Sequence, residues 1–100
     1  MYFNKDTQAS IVEFQQLEAT KEREKLYNEQ IHPAFEKLAA SLIFVYGFRA
    51  GSNQIENIKT DCVSFLYETI HKWDEDRGTK AFSYFNVVAK NWLIINSRQH

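Results

Sequence analysis

The sequence is poor in everything that breaks or staples a chain: among 100 residues there are one cysteine, one proline and three glycines. The lone Cys62 excludes an internal disulfide framework, and without a CxxC pair or a His/Cys cluster there is no ligand set for a structural zinc site. A reducing compartment is the expected home, and no cofactor is implied. The N-terminal MYFNKDTQAS has no basic segment followed by an apolar run, and no stretch approaches the roughly 18 apolar residues of a membrane span. The expectation is a soluble, cytoplasmic protein with no membrane partner. A glycine-rich phosphate loop, a nucleophile motif and a paired-histidine helix are also missing. Asp74, Glu75 and Asp76 crowd one turn, but adjacent acids in a turn face different ways and have no spaced partner here. His71 lies on a polar arc, where a solvated histidine is the commoner case, so the chain is not read as an enzyme.

With 44% hydrophobic and 25% charged residues, the composition is that of a folded domain with one core. The scarcity of breakers favours helices, and the pattern predicts an all-α, compact bundle of about four. The first 30 residues are polar and read as a helix with a weak stripe, Ile11, Phe14 and Leu17, ahead of a solvated charge run from Lys21 to Lys25. They form an N-terminal polar helical segment, 1–30, before a helical domain, 31–100. Pro33 is tolerated in a first turn, so the next helix is expected to start near His32 and to run to Tyr46, with Gly47 as its stop. Its buried stripe is Phe35, Leu38, Ala39, Leu42, Ile43 and Tyr46.

After a short connection, Asn53 and Glu56 approximate a capping box for a strongly two-faced helix. Ile55, Ile58, Cys62, Phe65, Leu66, Thr69, Ile70 and Trp73 share one arc, while Asn57, Thr60, Asp61, Ser64, Tyr67, Glu68 and His71 share the opposite one. Asp74 to Gly78 reads as a tight polar turn in which Gly78 takes positive φ. A last helix, from about Lys80, turns Phe82, Phe85, Val88, Ala89, Trp92 and Asn96 inward and Tyr84, Val87, Lys90, Asn91, Ile94 and Arg98 elsewhere.

The net charge of −1 argues against strong autonomous binding to duplex DNA, which depends on cations displacing phosphate counterions. The average hides a polarity along the chain. From Gln54 to Asp76 there are six acids against Lys59 and Lys72, whereas from Arg77 to His100 there are Arg77, Lys80, Lys90 and Arg98 and no acid.

The string WDEDRGTKAFSYFNVVAKNWLIINSR, Trp73 to Arg98, resembles the sigma-70 family of transcription initiation factors, in which an aromatic, an Asp and a polar turn ending in Gly join two helices. Tyr84-Phe85, Asn86-Val87, Val88, Ala89, Lys90 and Asn91 match in order the second-helix pattern of its smaller, extracytoplasmic-function members. The preceding helix looks like region 2.2 of the family, with Asp61 where an acid is favoured. The segment IHPAFEKLAASLIFVYGF is similar to the corresponding helix of late-transcription sigma factors from T4-type phages. The likeness covers Ala34 to Arg98 and departs from primary sigma factors at Val88 and Ala89, where those carry a Trp-Trp pair bracing the upstream edge of melted DNA.

The resemblance implies a fold like sigma factor domain 2 for 31–100. It also implies docking on the coiled coil of the largest subunit of core RNA polymerase through Asn57, Thr60, Asp61 and Ser64. The melted, single-stranded non-template strand of the promoter −10 element would be held by Lys80, Tyr84, Lys90, Asn91 and Arg98. A domain reading the upstream promoter element, or a short segment binding a sliding clamp as in phage late factors, is expected beyond His100. Phe82, Phe85 and Trp92 are assigned to the core on periodicity, and a partly buried rim position competes with the stacking role for Tyr84. The alternative from another class is a small helical interaction module that uses the Asn57 to His71 arc and touches no nucleic acid. A helix-turn-helix duplex binder is third, because the connection before the last helix is longer than that motif's and the charge is wrong.

Overall fold

The structure, a computed structural model, describes residues 3–18, 20–45 and 52–97. Among them every regular element is helical: α1 (Lys5–Gln16), α2 (Thr20–Leu26), α3 (His32–Val45), α4 (Ser52–Thr69) and α5 (Ala81–Ser97). A π-turn, Tyr27–Ile31, joins α2 to α3 without a break, so the chain packs as four rods. This is the all-α bundle expected from the periodicity. No helix of the described residues is long and apolar enough to cross a membrane.

The polar N-terminal segment is two helices where one was expected. Asn4 caps α1 by accepting from the Asp6 and Thr7 amides at 2.9 and 3.2 Å, and the Thr7 hydroxyl accepts from the Asn4 amide at 3.3 Å. The helix stops where Leu17 turns extended. Thr7, Ile11 and Phe14, at helical spacing, face inward and join Phe3 in the same core as the rest of the chain. The Arg23 guanidinium lies 4.5 Å over the Phe14 ring and its Nε donates to the Phe14 carbonyl, tying α2 to the end of α1.

α3 starts at His32 as expected, but it continues the π segment without a break. Pro33 does not open a helix but sits in the turn after the π segment, where His32 N–H donates five residues back to the Tyr27 carbonyl. Proline has no N–H and its ring crowds the carbonyl four residues earlier, so one widened turn lets the helix pass it unbroken. Phe35, Leu38, Ala39, Leu42 and Ile43 are buried as expected. Tyr46, Gly47 and the connection to residue 51 lie outside the described residues. Because α4 starts at Ser52, Asn53 lies inside its first turn and is not its cap.

Two further corrections concern the inward arcs. The α-helical part of the fourth element ends at Thr69, and Ile70–Lys72 tightens into a 3-10 turn before Trp73. Asn96 is exposed, while Leu93, three residues nearer the N-terminus, takes the buried place in α5 beside Ala81, Phe85 and Ala89. These four recur at every fourth residue, so the core line slants gradually around the helix as it descends.

The corner between α4 and α5 is fixed by side chains from outside it. Gln15 of α1 donates both amide hydrogens, one to the Ile70 carbonyl at 2.8 Å and one to the Trp73 carbonyl at 2.7 Å. Gln8, two turns earlier, accepts from the Ala81 amide at 2.9 Å and so satisfies an orphan donor at the start of α5. Within the corner the Trp73 indole donates to the Thr79 carbonyl at 2.9 Å, and Asp74 accepts from the Asp76 amide at 2.9 Å. Gly78 closes the turn at φ 83°, a left-handed conformation without penalty for glycine. Replacing Gln15 by Ala leaves two carbonyls short of a donor and is expected to cost about 1–3 kcal/mol in urea unfolding.

Cys62 lies wholly buried on α4, and burial pushes its thiol up from an ordinary 9.0 to about 12. Burial, with Tyr67 and Glu36 nearby, likewise raises the Tyr27 phenol. A folded-state pKa above the unfolded one adds stability that is complete below the unfolded value and fades as pH rises towards the folded one. The melting temperature is therefore expected to fall as pH climbs from about 9 to about 12, and Cys62→Ala is expected to flatten that fall.

Candidate functional site

The helix pair that bears the expected site residues is packed as neighbours. α4 and α5 lie against each other, with Phe65 stacked on Trp92 at 6.3 Å between ring centroids and 29° between planes. Of the expected inward residues of α4, Cys62, Leu66, Thr69, Ile70 and Trp73 are buried, and Ile55, Ile58 and Phe65 are half-buried. Val63, 5% exposed, is a core residue that the arc assignment missed. It lies on the side of α4 that lines a groove with α2 and α3, whereas a single-face reading allows a helix only one apolar direction.

Asn57, Thr60, Asp61 and Ser64 are all exposed, as are Tyr67, Glu68 and His71 on the same arc. The four expected docking residues divide into two pairs. Thr60 and Ser64 line one wall of a groove of about 600 Å³, together with Lys59, Val63, Tyr67 and Glu68. Asn57 and Asp61 stand outside that lining on the open face of α4. The opposite wall comes from α2, the π-turn and α3, through Glu24, Tyr27, Asn28, His32 and Glu36. None of these five was singled out from sequence, because the charge run of α2 reads as solvated surface and only the fold swings it opposite α4.

The groove is acidic with an aromatic floor. Glu24, Glu36 and Glu68 outnumber its one lysine, Lys59, which pairs with Glu56 at 3.2 Å on its own helix. His32 Nδ1 lies 3.2 Å from Glu36. Tyr27 meets Tyr67 edge to face at 4.7 Å and His32 at 5.6 Å, and Phe14 backs the same cluster from α1 at about 6 Å from both tyrosines.

The described residues expected to meet a nucleic-acid strand lie on α5 and just before it. Lys80 is exposed just before α5, and its carbonyl accepts from the Tyr84 amide at 3.0 Å. It lines a second groove of about 600 Å³ with Ser83 and Phe82 of α5 and with Phe3, Lys5 and Gln8 at the start of α1. Lys5, the second cation there, comes from a segment that the sequence alone gave no reason to bring near Lys80. Tyr84 is half-buried, its ring edge-on to Phe85 at 5.1 Å, so it takes the rim position and shows only part of its face. Asn91 is exposed and Lys90 half-buried, one turn beyond the exposed Val87. Arg98 lies outside the described residues. No group of three or more His, Cys, Asp or Glu among the described residues is arranged to hold a metal.

Two surfaces of opposite character thus flank one helix pair: an acidic groove and arc on the α4 side, and a cation-bearing groove and stripe on the α5 side. Substitutions there are expected to leave the fold intact. Asp61→Arg and Asn91→Ala change urea-unfolding stability by no more than about 0.5 kcal/mol, whereas Val63→Arg, two residues from Asp61, costs about 3 kcal/mol or more by burying an unpaired charge. No family model, curated protein or solved structure matches the chain.

Proposed function

We propose that the chain is a transcription initiation factor of the sigma region 2 kind, which binds core RNA polymerase and holds the melted non-template strand of the promoter −10 element. One observation supports this above the others: the exposed polar arc of α4, with Asp61 and Glu68, and the acid-free α5, with Lys80 and Asn91 exposed, belong to helices packed side by side. Asp61 with Asn57, and Thr60 with Ser64 at the groove edge, form the polymerase-facing surface, the partner being the coiled coil of the largest subunit. Lys80, Tyr84, Lys90 and Asn91 form the strand-facing surface, to which the α1 groove adds Lys5 and the open part of Phe82.

The physical work in this reading is capture. Unpaired bases stack on aromatic faces for about 1–3 kcal/mol each, and lysines follow the phosphates. A chain with net charge −1 gains little from duplex DNA by itself, so polymerase must supply the local concentration of the strand. The same low charge also suits the competing reading, an interaction module that uses the acidic groove without nucleic acid.

Retention on immobilised bacterial core RNA polymerase separates the two. The chain is expected to be retained, and Asp61→Arg to weaken retention about tenfold, which corresponds to about 1.4 kcal/mol of lost complementarity. Retention unchanged by Asp61→Arg would remove the α4 docking face, and absence of any retention would leave the interaction module as the reading.

A further inference from the structure

The two tryptophans of the chain stand in different surroundings. Trp73 is 3% exposed, and its indole donates to the Thr79 carbonyl. Trp92, a core residue by periodicity, is only half-buried. Among the described residues its indole N–H meets no acceptor, and no polar side-chain atom there is both sealed from solvent and unbonded, so the Nε1 edge of the ring is open to water. A tryptophan built fully into a core brings its N–H to a partner, as Trp73 does; a ring with an apolar side packed and its polar edge in water is the arrangement found at interfaces. Phe65 of α4, itself half-buried, supplies the packed side, the two rings stacking across the helix seam at 29°. The neighbours of Trp92 on α5, Asn91, Ile95 and Asn96, are all exposed.

These neighbours define the chemistry of a ligand. An aromatic ring already held by a second ring loses little freedom when a further planar group lies against it. Asn91 and Asn96 add carboxamides, which pair with the edges of bases, and the Asn96 amide is oriented by its bond to the Trp92 carbonyl at 2.8 Å. α5 contains no Asp or Glu, so a phosphate running along it meets no like charge on that helix. A duplex hides the faces of its bases, so the form that uses an aromatic ring is an unpaired strand. We propose that Trp92, backed by Phe65, is a second base-stacking station on the strand-facing surface, separate from Tyr84. The proposal rests on the strand-capture reading above. Trp92 follows Tyr84 by eight residues, about 12 Å along the helix axis, which is too far for one base to cover both. The strand is then gripped at two bases along α5, with Asn91 and Asn96 beside the second.

Two measurements test it. In the first, the chain is assembled with core RNA polymerase and a promoter held open at its −10 element, with 2-aminopurine placed at successive non-template positions. Stacking on an aromatic ring quenches that base. The expected result is quenching at two separate positions, one released by Trp92→Leu and the other by Tyr84→Leu, with each substitution weakening strand capture roughly tenfold. Quenching released by Tyr84→Leu but unchanged at every position in Trp92→Leu overturns the second station and leaves strand capture standing. No quenching at any position with the unsubstituted chain rejects strand capture and the station with it. The second measurement needs no substitution of the packed ring. In the chain carrying 5-fluorotryptophan, a short single-stranded oligodeoxynucleotide at millimolar concentration is expected to move the Trp92 fluorine resonance and leave that of buried Trp73 in place, while its duplex moves neither. A Trp92 resonance that stays still at a strand concentration that shifts the Tyr84 amide, or that moves no more than Trp73, overturns the proposal.

Discussion

The arrangement of both candidate surfaces depends on two glutamines of α1. Gln15 takes up the carbonyls of Ile70 and Trp73 where α4 ends, and Gln8 answers the Ala81 amide where α5 begins. Helix ends buried without partners are costly, and a corner with both ends satisfied from a third helix has one preferred geometry. That corner leads into the pair in which Phe65 stacks on Trp92 and the polar arc of α4 stays exposed. The segment that looks least like core by composition thus fixes the angle between the two helices that look most functional.

The N-terminal segment, α1 and the residues just before it, reaches both aromatic groups of the interior. Phe14 reaches Tyr27, Tyr67 and His71 beneath the acidic groove, while Phe3 reaches Phe35, Phe82 and Phe85 beneath the cationic one. Each groove floor is therefore held by a side chain of the N-terminal segment. If the surfaces act on polymerase and on an unpaired strand, the N-terminal segment is the brace common to both.

Local spacing made much of this legible. The arcs of α4 and α5 are set by a repeat of about 3.6 residues, and the buried set Cys62, Leu66, Thr69, Ile70, Trp73, Phe85 and Ala89 follows from it; Gly78 follows from turn chemistry. What stayed hidden depends on long-range contacts. Val63 is buried on the side of α4 that lines the groove with α2 and α3, and Leu93 takes the place expected for Asn96 because the core line of α5 advances by four residues and slants around the helix. The unbroken passage through Pro33 needed a π-turn, which leaves no mark in hydrophobic pattern. The far wall of the acidic groove and the meeting of Lys5 with Lys80 join residues far apart in the chain, and a reading of one helix at a time has no access to them.

In the proposed function, α4 faces polymerase and α5 faces an unpaired strand. A photo-crosslinking side chain introduced at Asp61 in one variant and at Asn91 in another, each assembled with core RNA polymerase and a promoter held open at its −10 element, reads both faces in a single experiment. Position 61 is expected to join to the largest polymerase subunit and position 91 to the non-template strand. Crosslinking of both positions to protein alone, or of position 61 to DNA, would contradict it.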